Sequence, residues 1–309
     1  MIKKSWYARG LARLVVVGAV GAMGVTMAGG TAEAQALPSP FSYVSNLDLE
    51  CFKTNSQTPN VGVQLKHLNP VLQNLPVHNV VMGSREQLCV PVTKNNVIPP
   101  SPALDYIRFT DLSCYKITAA PVNFPVTLKH LNPVLQQMGL PPENVTMTQA
   151  QQLCVPVAKN NVVLPAAVKR VVQYIDLECF GITPQVPINV PLSIGQLNPV
   201  LQPVIPGGNV KVTSNRQLCV PVAKNNQQIP ADVLALVKWI DLKKYDIVTA
   251  PLPNPVTVQL HHLNPLFTTL PVETATLTGA VQLGVPVSKN GVVPSTAGIV
   301  AGAAVTGAE

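Results

Sequence analysis

The sequence repeats itself four times, and this repetition constrains the fold more than any other feature. A block that begins Asp-Leu recurs at Asp48, Asp111, Asp176 and Asp241. A second block, Gln-Leu-Cys-Val-Pro-Val, starts at Gln87, Gln152 and Gln217 and returns at Gln282 with glycine in place of cysteine. Between the two blocks lies His-Leu-Asn-Pro, which starts at His67, His130 and His262 and becomes Gln-Leu-Asn-Pro at Gln196. Self-similarity at a fixed spacing is typical of proteins built from one supersecondary unit repeated.

The repeats divide the chain into modules of about 65 residues. We expect a signal peptide at 1–36, repeat 1 at 37–104, repeat 2 at 105–169, repeat 3 at 170–234, and repeat 4, without cysteines, at 235–294. Residues 295–309 are expected to form a flexible C-terminal tail.

The local patterns predict β structure. Proline reaches 31 of 309 residues and breaks helix interiors. Segment 175–179 alternates apolar and polar residues, the period of a half-buried strand. Lys-Asn-Asn at 94, 159 and 224, and Lys-Asn-Gly at 289, predict turns, because asparagine and glycine accept positive φ. Asn-Pro after Leu predicts a capped turn of helix. The predicted fold class is mainly β, with four tandem small β modules, three of which have an internal disulfide.

The second block carries two difficulties. Pro91 lies inside a predicted strand, and proline is confined to edges, strand starts and bulges, so this strand is predicted to be an edge or broken. Strict alternation also places Cys89 on the face opposite Leu88 and Val90. A bulge or burial on both faces would resolve the second difficulty, and the sequence does not choose.

The N-terminus predicts export. Basic residues precede a short apolar run, 14–27, and Ala34-Gln35-Ala36 has the small-x-small pattern of a cleavage site. The expected location is secreted, periplasmic or cell surface, with no transmembrane segment after cleavage. The formal net charge is +7, and removal of 1–36 takes four basic residues and Glu33, leaving about +4. So mild a charge does not indicate a nucleic-acid partner.

Six cysteines in an exported protein indicate disulfides. The fourth copy has Lys244 and Gly284 at the two cysteine positions, so both were lost together. Pairing between neighbouring copies, as Cys89 with Cys114, would leave Cys51 and Cys219 unpaired, whereas pairing within copies leaves none. We therefore favour the within-copy pairs Cys51–Cys89, Cys114–Cys154 and Cys179–Cys219. Lys244, on an inward position, is expected to extend its charge to water.

The order Leu-x-Cys-Phe/Tyr, Val-x-Leu, Leu-Cys-Val-Pro-Val-x-Lys resembles a cysteine-containing repeat domain of unknown function found in exported bacterial proteins. The resemblance covers nearly all of the chain after the signal peptide. It implies export and modular β structure, and it implies no activity.

Two repeated polar positions are candidates for chemistry. His67, His130 and His262, with His261 beside the last, can bind metal as imidazoles, but no acidic or cysteine partner is near them in sequence, so a turn-capping role is expected. Each repeated aspartate is expected to form a surface pair with the lysine of the Lys-Asn turn, worth under about 1 kcal/mol. One carboxylate per copy is too few for calcium. The sequence thus predicts no metal and no cofactor.

No catalytic motif is present: the chain has no Gly-x-Ser-x-Gly, no phosphate-binding glycine loop and no HExxH. The expected function is a non-catalytic binding or structural role, with a cell-surface or extracellular macromolecule as partner. The alternative is a secreted enzyme with a site at a junction between repeats.

Overall fold

Eight antiparallel strands close into a ring at the centre of the protein. The computed structural model describes residues 37–299. The predicted signal peptide and residues 300–309 lie outside them. The strands in this range are β1 (Leu49–Thr54), β2 (Val61–His67), β3 (His78–Met82), β4 (Arg85–Lys94), β5 (Asp111–Lys116), β6 (Phe124–His130), β7 (Glu143–Lys159), β8 (Leu177–Thr183), β9 (Pro187–Gln196), β10 (Gly208–Lys224), β11 (Leu242–Thr249), β12 (Val256–His262) and β13 (Glu273–Lys289).

The helices are short. They are α1 (Pro40–Val44), α2 (Ala103–Ile107), α3 (Pro133–Gln137), α4 (Ala166–Val172) and α5 (Ala231–Val237). Two 3₁₀ turns, Pro70–Leu72 and Pro265–Phe267, occupy the position of α3 in the first and fourth copies. The prediction of a mainly β fold is confirmed.

Each copy contributes two strands to the ring, a short one that starts the copy and a long one that ends it. In order around the ring the strands are β1, β4, β5, β7, β8, β10, β11 and β13, and β13 pairs again with β1. Closure leaves none of these eight strands as a free edge at the centre of the sheet.

The copies are interleaved rather than strung one after another. Each copy also forms an outer hairpin, and the first strand of that hairpin pairs with the end of a ring strand two copies away. Thus β2 pairs with β10, β9 with β4, β6 with β13, and β12 with β7. All described residues accordingly belong to one compact unit.

Both faces of the ring strands are buried, which resolves the alternation conflict at Cys89. The cysteines point into the ring, where they meet apolar residues of α1, α2, α4 and α5, helices that contact one another in a cycle. Leu88 and Val90 point outwards and are covered by an outer hairpin.

The prediction that the Pro91 strand is an edge or broken is wrong. β4 is continuous and has neighbours on both sides. Its pairing with β5 reaches Cys89, opposite Leu112, and its pairing with β9 begins at Val92, opposite Gln196. Proline therefore lies where the strand changes neighbours, at a point where no ladder needs its missing N–H.

The predicted turns are confirmed. Both asparagines of the first three Lys-Asn-Asn turns, and Asn290-Gly291 of the fourth, have positive φ. Asn69, Asn132 and Asn264 cap the helical turns that follow them, each with proline at the first position. At the C-terminal side, the first residues of the predicted tail contact the start of the described chain: Phe41 N donates to Ser295 O at 2.9 Å, and Leu37 pairs with Ile299.

Candidate functional site

The most regular polar feature is a buried Asp–Lys–Asn triad in each quarter of the ring. Asp48 forms an ion pair with Lys94 of its own copy and accepts a hydrogen bond of 2.7 Å from Asn132 Nδ2 of the next copy. The other three triads are Asp111–Lys159–Asn198, Asp176–Lys224–Asn264 and Asp241–Lys289–Asn69. The asparagine of the first copy binds the aspartate of the fourth, so the triads link the copies in a closed cycle.

The Asp–Lys pairs were expected on the surface, and the structure corrects this. Asp48 and Lys94 are 3% and 1% exposed, and the other three pairs are equally buried. Burial raises the pKa of the Asp48 carboxyl and lowers that of the Lys94 ammonium, while their attraction for each other acts in the opposite direction. The capped turn of the next copy packs against each pair, since its asparagine donates to the aspartate. Sequence alternation does not contain that information.

The interior of the ring holds three disulfides at one level, and they are the predicted within-copy pairs Cys51–Cys89, Cys114–Cys154 and Cys179–Cys219. Bonded cysteines are direct neighbours across adjacent strands. Disulfides of adjacent copies also approach each other, since Cys89 Sγ lies 3.7 Å from Cys114 Sγ without a bond.

Lys244 fills the place of the fourth disulfide. It lies opposite Gly284 across the β11–β13 pair. Its Nζ donates to Gln152 Oε1 at 2.8 Å and to Gln87 Oε1 at 3.0 Å. The side chain is 3% exposed, so the expectation that it extends to water is wrong. Burial lowers the pKa of Lys244 to about 7.

Four polar clusters lie outside the ring, where a hairpin covers the first ring strand of the copy two places away. Cluster I contains His67, His78 and Glu178; cluster II contains His130, Glu143, Lys243 and Tyr245; cluster III contains Gln196 and Glu50; cluster IV contains His262, Glu273, Tyr115 and Arg85. The four occupy equivalent positions and differ in composition. Copies one and three supply clusters I and III, whereas copies two and four supply most of clusters II and IV.

Clusters II and IV each contain a carboxylate with a fixed side-chain cation. Lys243 Nζ lies 2.5 Å from Glu143 Oε2, and Arg85 Nη1 lies 2.5 Å from Glu273 Oε2. A tyrosine hydroxyl completes each cluster, and in cluster II Tyr245 Oη lies 3.0 Å from His130 Nε2. Burial lowers the pKa of His130 to about 3, so its imidazole is neutral.

Cluster I lacks both the fixed cation and the tyrosine. Phe180 stands where clusters II and IV have tyrosine, and among the described residues Glu178 has only histidines as basic partners. His78 Nδ1 lies 2.7 Å from Glu178 Oε1, and His67 Nε2 lies 3.8 Å from Glu178 Oε2. Neither nitrogen of His67 has a hydrogen-bond partner within residues 37–299.

Cluster III borders a cavity of about 100 Å³. Gly208 occupies the position that holds His78, Glu143 or Glu273 in the other clusters, and the space left by its missing side chain is part of the cavity. Gln196 Nε2 donates to Glu50 Oε2 at 2.7 Å. Burial raises the pKa of Glu50 to about 7, and the Gln196 hydrogen bond opposes that shift.

The turn-capping role expected for the repeated histidines is wrong. The capping atom is Oδ1 of the following asparagine, which accepts from the backbone N–H two residues later. His67, His130 and His262 instead point into clusters I, II and IV. Sequence reasoning did not identify the residues that complete those clusters: His78 and Glu178 in cluster I, Glu143, Lys243 and Tyr245 in cluster II, and Glu273, Tyr115 and Arg85 in cluster IV. For Glu178 and Lys243 the sequence does hold a signal, because Glu50, Ser113, Glu178 and Lys243 occupy one repeat position with different charges.

Comparison with protein-family models, with curated proteins and with solved structures gives no match for this chain. Within residues 37–299, no helix combines the length and the apolar character needed to cross a membrane.

Proposed function

We propose that this is an exported, non-catalytic binding or structural protein that makes several equivalent contacts with an extracellular or cell-surface macromolecule. Three buried disulfides support an oxidising location, because disulfides persist outside the reducing cytosol. The disulfides, Lys244 and the four helices fill the ring interior. The surface that recurs is therefore the better candidate for function.

One observation carries the proposal: the same exposed apolar position recurs in three copies. It is the fourth residue after the lysine of each Lys-Asn turn, where Ile98, Val163 and Val293 are 64%, 91% and 54% exposed. The third copy has Gln228 there, also exposed. The residue before it is exposed as well in copies one and four, at Val97 and Val292.

These residues are arranged around one end of the ring. The first three turns lead directly into α2, α4 and α5, and the fourth leads into the segment that contacts α1. Since the four helices contact one another in a cycle, the positions just before them surround the same end. Repeated weak apolar contacts on one rigid body raise the overall affinity well above that of a single contact.

The third copy shows which substitution the other copies should tolerate, because it has glutamine, Gln228, at this position. We would replace Ile98, Val163 and Val293 by glutamine, singly and together, and measure binding of the labelled chain from residue 37 to envelope preparations of the producing cell. Glutamine already occupies this position at Gln228, so the urea midpoint should not change. We expect each single variant to weaken binding severalfold, and the triple variant to lose far more than any single variant loses. A Val204→Gln variant, at an exposed apolar residue elsewhere, is the control.

Unchanged binding by the triple variant would reject the proposal.

A secreted enzyme with a site at a junction between copies is the second candidate. The observation in its favour is Glu50, a buried carboxylate beside the cavity of cluster III, with its pKa raised to about 7 by burial. A group that titrates near neutrality is suited to general acid–base work. Hydrolytic activity that is present in the wild type and lost in Glu50→Gln would favour this candidate over the first.

A further inference from the structure

Among the described residues, cluster I is the group that brings two imidazoles and a carboxylate together closely enough to hold a metal ion. Its donor atoms, one each from His67, His78 and Glu178, lie within 4.8 Å of one another. All three residues are buried, and Glu178 is fully enclosed. Two imidazoles and one carboxylate form a donor set that zinc binds, with a fourth position left for water.

The carboxylate of Glu178 lacks the cation that the carboxylates of clusters II and IV have. Glu143 has Lys243, and Glu273 has Arg85, each at 2.5 Å. Across the described part of the chain, no lysine or arginine forms an ion pair with Glu178. A buried charged carboxylate without a cation is costly, because the desolvation of its charge must be offset by pairing or by metal coordination for the charge to persist.

The imidazole of His67 lacks the hydroxyl that its counterparts have. In clusters II and IV the tyrosine of the neighbouring ring strand reaches Nε2 of the equivalent histidine, at 3.0 Å and 3.4 Å. Phe180 removes that hydroxyl, and Nε2 of His67 is left without a hydrogen bond while it faces Glu178. Unpaired polar atoms at this depth are rare in folded proteins.

A single metal ion would supply both the cation that Glu178 lacks and the partner that His67 Nε2 lacks. We propose that His67 Nε2, His78 Nδ1 and Glu178 bind a single zinc ion at the junction of the first and third copies. Tetrahedral zinc with bonds of about 2.0–2.2 Å places its ligands about 3.3 Å apart. The His78–Glu178 pair, at 2.7 Å, therefore opens around the ion and the His67–Glu178 pair, at 3.8 Å, closes, each by about half an ångström.

The ring nitrogens of the two histidines that do not face the ion determine how tightly zinc should bind. His67 Nδ1 and His78 Nε2 have no partner within residues 37–299. Histidines that bind metal usually donate that N–H to a neighbouring group, and its loss costs about 10–100-fold in affinity. We therefore expect zinc binding clearly weaker than in a closed structural site, and an apo protein that remains folded.

The test is calorimetric titration of zinc chloride into chelator-treated protein, residues 37–309, without an affinity tag. The expected result is one equivalent of zinc per chain and a higher melting temperature. His67→Gln copies the residue that the third copy has at Gln196, and it should reduce the affinity by at least about 100-fold. His130→Gln makes the same change in cluster II and should leave the titration unaltered.

A second variant does not depend on removal of a ligand. Phe180→Tyr supplies the hydroxyl found in clusters II and IV, so it should stabilise the metal-free protein and weaken zinc binding. Absence of binding by the wild type, or binding equally strong in His67→Gln, would overturn the proposal. Zinc affinity unchanged in Phe180→Tyr would also overturn it, because the new hydroxyl would then not compete with zinc for His67 Nε2.

Discussion

Lys244 Nζ lies 3.8 Å from Cys114 Sγ inside the ring, so the lysine of the fourth copy touches the disulfide of the second. The contact crosses the ring interior. Cys154 Sγ, the other half of that disulfide, lies 3.9 Å away. A single amine thus occupies the space of the fourth cross-link, and its two amide acceptors, Gln87 and Gln152, belong to the repeated glutamine position.

Lys244 should make the stability of the protein depend on pH in the alkaline range. Its pKa is lowered by burial from 10.5 to about 7, so between these pH values the unfolded chain binds more protons than the folded one. Stability from this group therefore rises from pH 7 towards pH 10, and it is lost as pH falls towards 7.

The measurement is the urea midpoint at pH 7 and at pH 9, for the wild type and for Lys244→Met. The variant keeps the length of the side chain and should lose this part of the pH dependence. Lys238→Met, at a lysine outside the ring interior, should retain it. An equal change in midpoint for both variants would show that Lys244 stays charged in the folded protein.

The disulfides should dominate the response to reductant. Each closes a loop with a sequence separation of 38 or 40 residues, worth about 4 kcal/mol in the chain-entropy model. Replacement of Cys179 and Cys219 together by alanine should lower the free energy of unfolding by about 2–4 kcal/mol. Urea denaturation with and without reductant measures this. If reductant leaves the midpoint unchanged while all thiols become titratable, the cross-links do not stabilise the fold.

The copies should not fold in isolation. Each outer hairpin pairs with a ring strand two copies away, so a single copy has no partner for its hairpin and no closed ring. Expression of repeat 4 alone, residues 235–294, should give an unfolded chain even though it contains no cysteine. Cooperative urea unfolding of that fragment would contradict the interleaved arrangement.

Sequence reasoning identified the features that lie within one copy and missed those that join copies. The cross-strand pair Cys51–Cys89, the capping by Asn69 and the positive φ at Asn95 are local, and the repeat pattern was sufficient to predict them. The burial of Lys94 and the proximity of His67 to Glu178 depend on which copies pack against each other. Closure of the ring determines that copies two places apart in sequence pack against each other, and no single segment of the sequence predicts this contact.

Glu50 should give the opposite pH dependence from Lys244. Burial raises its pKa from 4.5 to about 7, so between these values the folded protein binds more protons than the unfolded chain. Stability from this group is complete below pH 4.5 and is lost as pH rises through 7. The difference in melting temperature between pH 5 and pH 8 should therefore shrink in Glu50→Gln. Glu86→Gln, at a carboxyl that is not fully buried, is the control.

The Asp–Lys–Asn triads should be sensitive to the loss of one member and tolerant of the loss of the charge pair. Lys94→Met leaves the Asp48 carboxylate buried without its cation, which costs about 3–5 kcal/mol. The double variant Asp48→Asn with Lys94→Met removes both charges, and it should be less destabilised than the single one. Asn132→Ala removes the hydrogen bond to Asp48, worth about 1–3 kcal/mol, and also the cap of α3, worth about 0.5–2 kcal/mol. Urea denaturation of the three variants measures these differences. The order matters more than the sizes: if the double variant is less stable than Lys94→Met alone, the Asp48 carboxylate does not depend on Lys94, and the buried ion pair is not what holds that quarter of the ring together.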